Sequence, residues 1–124
     1  MPINEGEFKI YDPYDAYLNE IGNDAFKFNE LNNRTRKLPR GLFDFIFDTE
    51  TGDFIKDRVS IPFNLDQNQS KEVAKIVMEL IIANFYLGNI VSEIKMRLSV
   101  DDQKTKSIAG LIVTELFAPI LDEL

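Results

Sequence analysis

Leu42-Phe43-Asp44-Phe45-Ile46-Phe47-Asp48, then Thr49-Glu50-Thr51-Gly52 and the run from Asp53 to Ile61, form the stretch that sets the fold class. Phe43, Phe45 and Phe47 share one face of an extended chain, and Asp44, Ile46 and Asp48 share the other, the period of a half-buried strand. Thr49 to Gly52 supplies turn chemistry, with Gly52 suited to a positive φ. Pro62 ends the pairing, because it has no ladder donor. Residues 42–61 are thus expected to form a β-hairpin, and the alternation of Glu7 to Tyr11 offers a further strand at 7–11.

On the N-terminal side of this hairpin, Asp12-Pro13 reads as an N-cap followed by Pro in the first helical turn, with Tyr14, Tyr17, Leu18 and Ile21 at helical spacing. Gly22-Asn23 closes that helix, and a second starts at Asp24. On the C-terminal side, Asp66 with Gln69 makes a capping box for a longer helix.

Residues 73–91 are apolar over most of a helical circumference, so something must cover them on several sides. Two readings compete. In one, the helix stops at Leu87 with Gly88-Asn89 as its cap and a strand follows over 93–100. In the other, it continues to Leu98, and Val73, Val77, Leu80, Asn84, Leu87, Val91, Ile94 and Leu98 make a heptad seam with one buried Asn. Eight agreeing positions favour the second, since Gly88 costs a helix only about 1 kcal/mol. Asp101 or Asp102 opens a last helix that Pro119 ends.

The expected architecture is one helix-rich α+β domain spanning 1–124. A small antiparallel sheet packs on two long C-terminal helices, about 66–98 and 102–118.

Composition narrows the chemistry more than the motifs do. The 124 residues include no Cys and no His, which removes disulfides, thiolate and imidazole metal ligands, and Ser-His or Cys-His catalysis. The acidic series Asp44, Asp48, Glu50, Asp53 and Asp57 fails as an EF-hand: counted from Asp48, Gly52 falls at position 5 and Val59 at position 12. No Gly-rich phosphate loop and no Ser-x-x-Lys motif occurs. The expectation is a non-enzymatic protein with no cofactor and no metal.

The net charge of −7 repels phosphate backbones, so neither direct nucleic-acid binding nor membrane binding is expected. Lys75 and Glu79 interrupt the apolar run, and no signal peptide is visible, which points to a soluble cytoplasmic protein. Arg34, Arg36, Lys37 and Arg40 form the one basic cluster, read either as a solvated connector or as a phosphate or acidic-partner contact.

The resulting expectation is an acidic protein-interaction or assembly module. It self-associates through its C-terminal helices, with Val77, Leu80, Asn84, Leu87, Val91 and Ile94 as the interface. The alternative is an acidic inhibitor or nucleic-acid mimic of phage type, whose Asp44, Asp48 and Asp53 occupy a basic groove on a target. A carboxylate and metal enzyme is the third and weakest reading.

Overall fold

Five aspartates punctuate the chain. Asp12, Asp24, Asp48, Asp66 and Asp101 each stand in extended backbone before a helix, and each carboxylate accepts an N–H two or three residues on, at 2.7–3.1 Å. Such caps satisfy donors that the first helical turn leaves unpaired. The computed structural model describes residues 9–82 and 87–123, with side chains as far as Ile120, and every regular element among them is helical.

The helices are α1 (Pro13–Ile21), α2 (Ala25–Arg36), α3 (Arg40–Phe47), α4 (Thr49–Phe54), α5 (Gln67–Ile81), α6 (Ile90–Leu98) and α7 (Asp102–Leu111). Two of them widen into π-helical turns, α4 over Ile55–Ser60 and α7 over Ile112–Leu116. Short 3₁₀ segments cover Leu87–Asn89 and Ala118–Glu123. Gly22 closes α1 at φ 64°, where a side chain would be strained.

The expected hairpin at 42–61 is absent: α3, α4 and the first π turn occupy it. Leu42 and Ile46, four residues apart, are buried, and so are Ile55 and Val59, again four apart. That i, i+4 stripe is the core face. The aromatic alternation that imitated a strand arises because Phe residues also lie around the rest of α3. Phe43 and Phe47 are on the surface, their tilted rings 5.0 Å apart with Tyr14 4.5 Å from Phe47, while Phe45 turns toward Phe117 at 6.0 Å. Asp48 caps α4, and the Thr51 hydroxyl donates to the Phe45 carbonyl at 2.9 Å, so the supposed hairpin turn is a helix junction.

Residues 9–12 form no strand either; Glu7 and Phe8 of the expected 7–11 strand lie outside the described residues. The Lys9 N–H donates to Gln67 Oε1 at 2.7 Å, and Gln67 Nε2 donates back to the Lys9 carbonyl at 2.9 Å. One glutamine side chain thus does for this strap what a neighbouring strand would do.

The single long helix over 66–98 is also corrected. α5 ends at Ile81, and α6 returns alongside it. Gln69 Nε2 donates to the Leu98 carbonyl at 2.9 Å across a separation of 29 residues. In one straight helix those groups would be about 44 Å apart.

α5 is the centre of the molecule. Val73, Ala74, Ile76, Val77 and Met78 are fully buried, and α1, α3, α6 and the first π turn pack around them. The covering that residues 73–82 demand comes from their own chain.

Candidate functional site

Three of the five expected interface residues that the structure describes lie in the core and not on a free surface. Val77, Leu80 and Ile94 are buried in the core, Leu87 is half-buried, and Val91 is 41% exposed. Asn84 lies outside the described residues. The seam is not one stripe on one helix: its buried members, Val73, Val77 and Leu80 on α5 and Ile94 and Leu98 on α6, lie on two helices that pack against each other.

Charge stitches the same return. Arg97 of α6 reaches three carboxylates, Glu79 at 2.6 Å, Glu72 at 3.1 Å and Glu93 at 3.7 Å. Lys75, only 8% exposed, pairs with Glu72 at 2.8 Å and with Glu20 of α1 at 3.2 Å. Burial alone would lower the Lys75 and Arg97 pKa values, but the surrounding carboxylates outweigh it and raise both. Burial likewise opposes ionisation of Glu72, yet Lys75 and Arg97 hold its carboxyl below the ordinary glutamate value. These residues are structural ties between helices.

The basic cluster is divided among elements. Arg34 pairs with Glu30 at 3.2 Å and donates to the Ile82 carbonyl at 3.5 Å, while Arg40 pairs with Asp44 at 3.3 Å on α3. Arg36 and Lys37 are exposed where α2 ends, a place where cations suit the helix dipole.

The acidic series is divided too, and here a site emerges. Asp53 borders a cavity of about 290 Å³ beside Asp12, Asp15 and the strap. Asp44 and Asp48 instead border a groove of about 380 Å³ between α3, α4 and the C-terminal segment. Its wall is apolar, made of Phe45, Phe54, Leu116, Pro119 and Ile120. Glu50 and Glu115 complete a rim of four carboxylates.

Capping and packing place these groups. Asp48 ends α3 and caps α4, leaving Asp44, Asp48 and Glu50 around one concavity. The second π turn and Phe117, buried against Phe45, carry Glu115 to the opposite side. Glu115 was invisible to sequence reasoning, since nothing at residue 115 points to a neighbour at 44–50. Arg58 reaches two of these residues from outside the groove: its Nη2 donates to Glu115 Oε1 at 2.7 Å and its guanidinium sits 5.4 Å from the Phe54 ring centre.

An apolar groove with a carboxylate rim can bind a cationic, partly apolar segment by burying its stems and pairing its charges. Among the described residues, no three His, Cys, Asp or Glu side chains converge in a way that could hold a metal ion. No helix among them is long and apolar enough to cross a membrane. The chain matches no protein-family model, and no curated protein or solved structure is significantly similar to it.

Proposed function

We propose that this protein is a non-catalytic protein-interaction module whose groove between α3, α4 and the C-terminal segment receives a basic segment of a partner protein. The observation that carries the reading is the juxtaposition of Asp44, Asp48, Glu50 and Glu115 around the apolar wall of Phe45, Phe54, Leu116 and Ile120. Carboxylates on such a rim attract a cationic partner over a distance and so raise its on-rate, while the aromatic wall supplies contact area.

Self-association through residues 77–94 loses its support, because Val77, Leu80 and Ile94 are already buried within the chain's own core. An inhibitor that fills a basic groove draws on the same acidic residues but would present them on a convex surface. The four rim carboxylates border a concavity.

The test measures binding of a labelled peptide of alternating leucine and arginine by fluorescence anisotropy at several salt concentrations. The triple variant Asp44→Asn, Asp48→Asn, Glu50→Gln is compared with Glu30→Gln, Asp53→Asn, Asp57→Asn, which removes the same charge elsewhere. Affinity should fall with salt and fall far more for the groove variant. Equal losses for the two variants would sink the reading.

A further inference from the structure

Arg58 stands beside the groove and engages two of its lining residues in the manner that an incoming side chain would. Its guanidinium bonds Glu115 on the rim and lies over Phe54 in the wall. The pair joins residues 57 apart in sequence, unlike the local Arg40–Asp44 pair on α3. Both partners are substantially exposed, with side-chain exposures of 52% and 42%. An exposed ion pair of this kind contributes little to stability, so breaking it demands little.

We infer that Arg58 is a resident competitor for the groove: it occupies Glu115 and Phe54 in the free protein and gives way to an arginine of the partner. The inference rests on the binding reading above and adds two things to it. The first is the chemistry of the recognised side chain. A planar guanidinium can lie over a ring and direct two parallel N–H groups at a carboxylate, whereas an ammonium acts as a point charge. The site already accommodates the first kind of group, so arginine is selected over lysine. The second is a threshold, because a partner must displace Arg58 before it engages Glu115.

Three substitutions test this with the leucine-arginine peptide and a leucine-lysine counterpart. Arg58→Gln keeps much of the side-chain stem and frees Glu115, so the arginine peptide should bind more tightly by up to about fivefold, the range of an exposed ion pair. Lys106→Gln removes the same charge from the exposed face of α7 and should produce a smaller gain. Glu115→Gln breaks the same internal pair yet should weaken binding. A tie that served only the fold would leave affinity alike in Arg58→Gln and Glu115→Gln while lowering both melting temperatures. The lysine peptide should bind more weakly and gain less from Arg58→Gln.

The inference is overturned if Arg58→Gln binds no more tightly than the parent, if Lys106→Gln matches its gain, or if the two peptides behave alike. Those outcomes leave the groove reading standing provided that neutralising Asp44, Asp48 and Glu50 still costs more affinity than the distant neutralisation. If it does not, the groove reading itself has failed.

Discussion

Gly52 lies where the N-terminal strap presses on α4. A Cβ there would stand 2.8 Å from Ile10 Cγ2 and 3.2 Å from the Tyr11 carbonyl oxygen. The backbone oxygen cannot swing aside as a side chain can, so Gly52→Ala should cost about 1–3 kcal/mol, read from urea unfolding. Asp12, which ends the strap, is a carboxyl whose burial pushes its pKa up to about 6 from 3.8, with the nearby Asp15 charge adding to the rise and its own capping bonds opposing it. A folded-state pKa above the unfolded one means that the native protein binds the proton more tightly. The stability linked to this group is therefore fully present below about pH 4 and lost as pH rises through 6. The melting temperature of the parent minus that of Asp12→Asn should be larger at pH 5 than at pH 7. Asn keeps the cap, so the variant should flatten this part of the pH profile. An unchanged profile would refute the assignment.

At the scale of elements, the α5–α6 return depends on groups that are individually ordinary. The Asp66–Gln69 capping box starts α5, and the same Gln69 side chain ties α5 to the end of α6. Arg97 then neutralises two half-buried carboxylates on α5. Removing it would take from Glu79 its cation at 2.6 Å and leave Glu72 with Lys75 alone. Arg97→Ala should lose about 2–4 kcal/mol in chemical denaturation, more than Arg40→Ala, whose pair is exposed. Losses of equal size would show that the network is only a surface decoration.

Considered whole, the molecule wraps the buried face of α5, from Val73 to Met78, in α1, α3, α6 and the first π turn. Ile94 is fully buried between α6 and the core. Ile94→Ala should therefore destabilise the fold by about 2–5 kcal/mol and leave the protein's size by light scattering the same as the parent's at each concentration. A shift from dimer to monomer on this substitution would revive the seam as an interface between chains. The helix starts were legible because they are local: Asp12-Pro13, Asp66 with Gln69, and Asp101 act within one turn. The class of residues 42–61 was not, since seven residues rich in Phe satisfy a period of two and a period of four together. Their choice was made by Leu42, Ile46, Ile55 and Val59 finding a common core with α5.

The amino-acid sequence by itself determined the caps at Asp12, Asp24, Asp66 and Asp101, the break at Gly22, the need to cover residues 73–82, the acidic charge and the absence of thiol and imidazole chemistry. Tertiary structure alone decided that α6 covers α5, that the phenylalanine run is helical, and that Glu115 joins Asp44, Asp48 and Glu50. Caps and composition depend on neighbours a few residues apart. Coverage and convergence depend on where distant helices come to rest, and only packing of the whole chain sets that.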